Sequence, residues 1–453
     1  MNVAEERRPA ALLSGPAVAV VADDLTGATD SGLQFANLGL PTTVCLDEFP
    51  AAADGAAVVV VDTETRALEP AAVRPALAAV SRQILQAAPR HVYKKIDSTM
   101  RGHVGVELDS VAAAMGAGIV ILTPAFPAMG RTVEDGRLFI EGLPVGRTAI
   151  ARDPGWPVRD SRLASLLAPH MPDAAVVAVS REALDEPARL HARLQEASHG
   201  KARVCAVFDA SNDDDLARIA GFGTTLAQEN DTRVLWAGSA GLAAHLPIVW
   251  GLAIKSAGAP HLPATERPPL LVVGSVNPTS IDQLARVTHD LRLQAVVLSP
   301  DRVLGPPDEC DHELVRAVAM HRDQSVAGCR ALVLTTAHDE SDVARIVALA
   351  ERQNLTRRQA GRRIAESLAA VTRKLLEGSI VDRLAATGGD TARAILDAAG
   401  IRALRVEGAV APGMPLVTTQ DGGRRSIMTK AGGFGSPDAL VKAMTFLADG
   451  RLS

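Results

Sequence analysis

The stretch AVAVVADDLTGATDSG, Ala17 to Gly32, decides how the chain folds. The apolar run Ala17–Ala22 has the length of a buried strand and ends on two adjacent aspartates, Asp23 and Asp24. A Thr-Gly step follows, then Asp30 at the head of an apolar-periodic segment. A strand feeding a helix through a polar turn is half of a βαβ unit. Such units build parallel sheets covered on both faces, with the ligand crevice beyond the carboxyl ends of the strands. Two carboxylates at that edge therefore raise the expectation of a ligand. The same residues also suit an Asx turn that caps the helix after Thr26.

The pattern repeats outward. Apolar runs such as TTVCL, AAVVVVDT, HVYKKI, GIVILTPAF, AAVVAVS, ARVCAVFDA and TRVLWAGSA alternate with helix-length segments such as 71–87 and 213–228. DGRLFIEGLPV, with its Asp-Gly step and short alternating run, predicts a hairpin excursion. The stretch 251–269, rich in proline and small residues, reads as a linker. Beyond it the alternation restarts with PLLVVGS, LQAVVLSP, CRALVLTTA and SIVDRLAATGGDT, then turns to short strands and a last helix at 436–448. The expected fold is α/β with two domains, 1–250 and 270–453. Each has a mainly parallel sheet covered by helices, and the active site lies in the cleft between them.

Composition bounds the rest. A chain of 453 residues, 47% hydrophobic and 22% charged, has ample core for two domains. Aromatics at 3% and a net charge of −5 argue against nucleic acid as a partner. No run approaches the ~18 apolar residues of a membrane helix, and the N-terminus does not resemble a signal peptide. Cys45, Cys205, Cys310 and Cys329 lie far apart, and three of them sit in or beside apolar runs, as buried free thiols do. These features suit a cytoplasmic protein. There is no P-loop, no dinucleotide fingerprint and no zinc motif.

Polar clusters stand at the strand ends. YKKIDSTMRGHVGVEL, Tyr93 to Leu108, packs Lys94, Lys95, Asp97, Ser98, Thr99 and Arg101 together before a glycine and a helix. Arginine forks and lysine point charges suit a small anionic, hydroxylated molecule. A solvated loop with a helix cap would use the same residues. TPAFPAMGRT, Thr123 to Thr132, and Arg66 in DTETR would lie on the same edge. The second half offers glycine-rich loops, VGSVNPTS, TGGDTARAI, APGMP and TKAGGFGSPDAL, whose amides can approach phosphate.

Taken in order, VADDLTGATDSG, YKKIDSTMRGHVGVELD, TPAFPAMGRTVEDG, WAGSAGLA, GGDTARAI and TKAGGFGSPDAL resemble the four-carbon acid sugar kinases, from about Val18 to Leu447. The resemblance implies an N-terminal sugar-acid-binding domain and a C-terminal nucleotide-binding domain. It implies transfer of the γ-phosphoryl of ATP to the terminal 4-hydroxyl of D-threonate, D-erythronate or 3-oxo-tetronate. KKIDSTMRG looks more like the threonate/erythronate branch. Carried onto this chain, the acid-binding residues are Asp23, Asp24, Arg66, Lys95, Ile96, Asp97, Ser98 and Arg101. Asp24, Asp97 and Lys95 are the catalytic candidates, with the base left open between the two aspartates. The nucleotide side implicates Ser275, Gly388, Gly389, Asp390, Thr391, Gly432 and Gly433. Mg²⁺ is expected with ATP, but no motif identifies protein ligands for it. The partners are the sugar acid and ATP, with a homo-oligomer left open. A non-catalytic sugar-acid sensor and a nucleotide-dependent ligase of small acids are the other classes. If the two cores bind separately, a side chain at Gly389 should weaken nucleotide binding and leave acid binding unchanged.

Overall fold

The computed structural model describes residues 15–50, 55–153, 155–229, 233–252, 258–420 and 423–451. The N-terminal half contributes β1 (Val18–Ala22), β2 (Thr42–Leu46), β3 (Val58–Asp62), β4 (His91–Lys95) and β5 (Ile119–Thr123). An antiparallel excursion follows, with β6 (Arg131–Glu134), β7 (Arg137–Ile140) and β8 (Leu143–Pro144). Its Asp135-Gly136 turn has both residues at positive φ, as the hairpin reading requires. Then come β9 (Ala174–Val179), β10 (Arg203–Phe208) and β11 (Val234–Gly238). The C-terminal half adds β12 (Leu270–Val273), β13 (Ala295–Val297), β14 (Leu332–Thr335), β15 (Arg383–Thr387), β16 (Ala403–Ala411), β17 (Met414–Thr419) and β18 (Ser426–Lys430). Apart from β6, whose Arg131 and Thr132 were read as part of a polar strand-end cluster, these strands match the runs read from the sequence. β1 and β3, buried at every position, show why: a strand covered on both faces must be apolar throughout.

The expectation of a separate sheet in each half needs correction. Both blocks belong to one 15-stranded sheet, ordered β13-β14-β12-β15-β18-β17-β16-β2-β3-β1-β4-β11-β5-β10-β9. The blocks β13 to β18 and β2 to β9 are internally parallel. Between them β17 and β16 run antiparallel, and β16 pairs with β2 through Ala403–Cys45, Leu404–Val44 and Arg405–Thr43. The joint gives β2 a partner where it would otherwise leave an open edge of unpaired amides. The helix Leu25–Ala36 seals it. A Cβ added at Gly32 would lie only 3.2–3.4 Å from Thr42, Val406 and Val60, so a larger residue there would have to press these side chains aside.

Three antiparallel steps reverse the second block relative to the first. In a flat sheet the two sets of carboxyl ends would then face opposite edges. Six pairings separate β1 from β15. At roughly 20–25° each they accumulate a twist of roughly 120–150°, which turns those ends toward each other.

Of the stretch read as a linker, 253–257 lie outside the described residues, as do residues 1–14 at the N-terminus. The described part carries no helix or strand. It is fastened to the C-terminal half by Leu262, whose amide donates to the Gly450 carbonyl at 2.8 Å. Cys45 and Cys205 are buried as expected, but Cys329 is exposed, since it follows the helix Pro307–Val326 in a turn ahead of β14. No helix among the described residues is long and apolar enough to cross a membrane.

Candidate active site

β1 lies between β3 and β4 in parallel register, so the loops leaving these three strands emerge side by side. They carry Asp23 and Asp24, Arg66, and the segment Lys95–Arg101. Arg66 is the hub. Its Nε donates to Asp23 Oδ2 at 2.8 Å, and Nη1 and Nη2 donate to the two Asp24 oxygens at 2.8 and 3.1 Å. Asp97 Oδ1 is 3.8 Å from Nη2. Asp24 also caps the helix Leu25–Ala36 by accepting from the Gly27 amide at 2.9 Å. The capping reading thus holds at Asp24, and the same carboxylate faces the Arg66 cluster.

The two lysines part company because neighbours on a strand face opposite ways. Lys94 is fully buried and pairs with Glu107 at 2.8 Å, a structural contact to the helix Val104–Met115. Lys95 turns to the site. A Cβ added at Gly27 would sit 2.7 Å from its Nζ, so the ammonium lies over the first helical turn. Among the described residues no carboxylate comes within 4.0 Å of it. Asp97 accepts from Thr99 and Arg101 amides at 3.2 Å and from Arg101 Nε at 3.0 Å. Arg101 is thereby committed to Asp97. Ser98 is buried beside it. The buried side chain of Ile96 leaves only its main chain for the site, and its amide donates to the Gly238 carbonyl. His103 packs edge-on against Trp156 and donates from Nε2 to the Leu68 carbonyl at 3.0 Å.

Electrostatics distinguish the aspartates. Burial opposes ionisation of all three. At Asp23 the charges of Arg66, Lys94 and Lys95 outweigh it and hold the carboxyl below its usual range. At Asp97 the guanidinium groups of Arg101 and Arg66 do the same, more strongly. At Asp24 burial prevails, with the charge on Asp23 adding to it, and the carboxyl is raised.

In the C-terminal half β12, β15 and β18 are parallel neighbours, so their outgoing loops also converge. A Cβ at Gly432 would overlap Ser275 Oγ, and one at Gly274 would overlap Thr391 Oγ1. Gly388 adopts φ of 102° and lies against the Ser275 amide. It opens the helix Gly389–Ala398 with no side-chain cap, leaving the first-turn amides, including those of Asp390 and Thr391, as donors for an anion. The loop 431–436 is held through its carbonyls. Lys430 Nζ donates to those of Ala431, Gly432 and Phe434, Ser280 to that of Gly432, and Gln283 to those of Phe434, Gly435 and Ser436. With its carbonyls bound on that side, the loop has its Gly432 and Gly433 amides free for a ligand. Burial brings Lys430 down to about 8. Lys430, Ser280 and Gln283 were not singled out in the sequence, although Lys430 stands inside the TKAGGFG motif.

The two groups of loops meet. A Cβ at Gly389 would lie 3.0 Å from Thr26 Oγ1 and 3.8 Å from Asp24 Oδ2. Gly389, expected to matter for the nucleotide alone if the two cores bind separately, thus stands beside the loop after β1 that carries Asp24 and Thr26. Farther along the same helix, Arg393 pairs with Asp62 at 3.0 Å, and with Asp47 and Asp397.

Residues 18–246 match a family described as a sugar-binding N-terminal domain, and residues 270–440 one described as a nucleotide-binding C-terminal domain. A D-threonate kinase of Cupriavidus necator is 35% identical over 452 residues, with 95% of this chain and 98% of the relative covered. A D-threonate kinase of Salmonella typhimurium is 30% identical over 436 residues at the same coverage. A 3-oxo-tetronate kinase of Cupriavidus necator is 28% identical, with 95% and 96% covered. In fold, the chain is similar to a crystal structure from Salmonella typhimurium with a TM-score of 0.75 at 23% identity, covering 94% of this chain and 98% of the other.

Proposed function

This chain belongs to the four-carbon acid sugar kinase family, and from that premise we propose that it transfers the γ-phosphoryl of ATP to the terminal 4-hydroxyl of D-threonate or D-erythronate. The observation that carries the reading is the approach of Gly389 to Asp24, which joins a phosphate-type helix N-terminus to a carboxylate raised by burial. The active site is then the cleft between an acid-binding half, 1–250, and a nucleotide-binding half, 270–453. The D-threonate kinases are the more similar of the relatives described above, which favours threonate.

In this reading Asp24 is the base and Asp97 is not, because a carboxylate held below its usual range is a poor proton acceptor. The 4-hydroxyl gives its proton to Asp24. Its oxygen forms the new bond to the γ-phosphorus while the bond to the bridging oxygen breaks, and ADP leaves. Lys95, free of carboxylates, supplies positive charge near the reacting groups. Asp23, Arg66, Ile96 through its main chain, Asp97, Ser98 and Arg101 position the acid. Ser275, Gly388, Gly389, Asp390, Thr391, Gly432 and Gly433 bind the nucleotide phosphates.

No group of three or more His, Cys, Asp or Glu residues among the described residues could hold a metal. The site fits an Mg²⁺ carried by the nucleotide rather than caged by protein, with Asp390, on the first turn of the helix after β15, as the carboxylate that would help hold it. When bound, the ion would neutralise charge on the phosphates.

The test is ADP release with ATP and a panel of D-threonate, D-erythronate and 3-oxo-tetronate, with phosphorus NMR of the product. A 4-phosphate ester is expected. No ATP consumption would favour a sensor, and an acyl phosphate a ligase; either overturns the reading.

A further inference from the structure

The segment Thr123–Thr132 stands at a strand end of the acid-binding half, yet none of the roles above uses it. Its Arg131 opens β6, with its main chain fixed by reciprocal hydrogen bonds to Phe126 at 2.9 and 3.1 Å. Nη1 donates to the Met129 carbonyl. The guanidinium carbon lies 4.9 Å from the centre of the Phe434 ring, in the glycine loop after β18. A cation anchored in one half thus rests on the phosphate loop of the other.

This arginine lacks the partners its neighbours have. Arg66, Arg101, Arg203 and Arg393 each hold a carboxylate at 3.0 Å or less. Arg131 Nε is buried with no hydrogen-bond partner, and among the described residues no carboxylate lies within 4.0 Å of its guanidinium. Two carboxylates act on it from beyond that distance, Asp97 and Glu141, and Asp97 is already engaged by Arg101. Burial weakens its hold on the proton, but a guanidinium stays charged. A half-buried cation with a buried, unbonded Nε and no carboxylate at salt-bridge distance among the described residues, set between the loops after β5 and β18, is placed to hold an anion.

We propose that Arg131 is a catalytic residue that binds the equatorial oxygens of the transferring phosphoryl group, reaching over the nucleotide loop from the acid-binding half with Phe434 as its platform. The inference rests on the kinase reading above. Bond making and breaking are as described there. Arg131 keeps all its protons and donates hydrogen bonds to oxygens whose charge is redistributed during transfer, as an arginine supplied in cis does. The platform belongs to the nucleotide loop, which assigns the anion to the phosphoryl group rather than to the acid's carboxylate.

The experiment compares wild type with Arg131→Met and Arg131→Lys, all checked by circular dichroism. Arg131→Met should lower kcat by ~10²–10³-fold, as loss of a preorganised donor does, while KM for D-threonate and ATP stays near wild type. Arg131→Lys should fold like wild type and recover only part of kcat, because a point charge does not replace a fork. ADP titrated with and without aluminium fluoride, a phosphoryl mimic, gives a second readout. The gain in ADP affinity seen with wild type should vanish in Arg131→Met. A wild-type kcat and fluoride response in Arg131→Met would overturn the inference. So would a raised KM for the acid at unchanged kcat, which would make Arg131 a carboxylate anchor. A wild type inactive on every acid of the panel would sink the kinase reading, while the fluoride titration would still decide the arginine.

Discussion

Arg393→Met removes the guanidinium that ties the helix Gly389–Ala398 to the strand ends of the N-terminal half. Asp47 and Asp397 are 48% and 41% exposed, so their pairings contribute about 0–1 kcal/mol each. Asp62 is fully buried and 3.0 Å from Nη1, and this pair decides the outcome. Burial pushes Asp62 up to about 7 against the pull of Arg393. Without the guanidinium it must rise further. Below that value Asp62 is protonated in both folded proteins, and the substitution loses little beyond surface pairs and packing. Above it, wild-type Asp62 ionises while the folded variant keeps its proton. Wild type then gains on the variant by up to about 1.4 kcal/mol per pH unit. Glu64, 3.8 Å from the same guanidinium and pushed up to about 9 chiefly by burial, adds a second proton near the top of the range. The destabilisation should grow from about 1 kcal/mol at pH 6 to about 3–5 kcal/mol at pH 9, the range for breaking a buried ion pair. Urea unfolding of both proteins at the two pH values measures it. A difference that does not change with pH would refute the assignment of the loss to Asp62.

Asp24→Asn should lower kcat by at least ~10²-fold, and wild-type kcat/KM should fall as pH drops through the raised Asp24 pKa. Asp97→Asn removes a neighbouring negative charge and should move that acid limb to lower pH. An unchanged kcat in Asp24→Asn would remove it as the base. Gly389→Val should weaken acid as well as ATP binding, each titrated alone by calorimetry, because the added Cβ crowds Thr26 and Asp24. Unaltered acid affinity would detach Gly389 from the acid site. Lys430→Met should raise the KM for ATP by roughly ten-fold or more, through loss of charged hydrogen bonds to the loop carbonyls. In wild type the KM for ATP should rise as pH passes about 8, where Lys430 loses its charge, and that rise should be missing in Lys430→Met.

The strands were legible because a sheet covered on both faces demands continuous apolar runs, and β1, β3 and β12 supply them. The clustering of Asp23, Asp24 and Lys95–Arg101 was legible because these residues follow such runs directly at neighbouring strand ends. What escaped the sequence depends on distant partners. Arg393 carries no local sign that it meets Asp62, since only tertiary packing joins positions 331 residues apart. Arg66 read as a lone cation at a strand end, and its grip on Asp23 and Asp24 depends on β1 and β3 being neighbours. Lys94 and Lys95 could have been separated by strand alternation alone, since one of any two adjacent side chains must face away from the other. The fused sheet left no trace, because β16 reads as an ordinary alternating strand whatever it pairs with.

The pairing of β2 with β16 also bears on how the chain is made. β2 leaves the ribosome early, but Ala403, which pairs with Cys45, is added only after about 360 further residues. At synthesis rates of about 5–20 residues per second the nascent chain spends roughly 20–70 s with that edge unpaired. A run such as Thr-Thr-Val-Cys-Leu is adhesive in that condition, being apolar and rich in β-branched residues. Premature termination anywhere between β3 and β16 would release chains with this edge open. Yield from truncated or slowly translated messages should therefore be limited by aggregation, and a chaperone that covers β2 until the last strands emerge should relieve it.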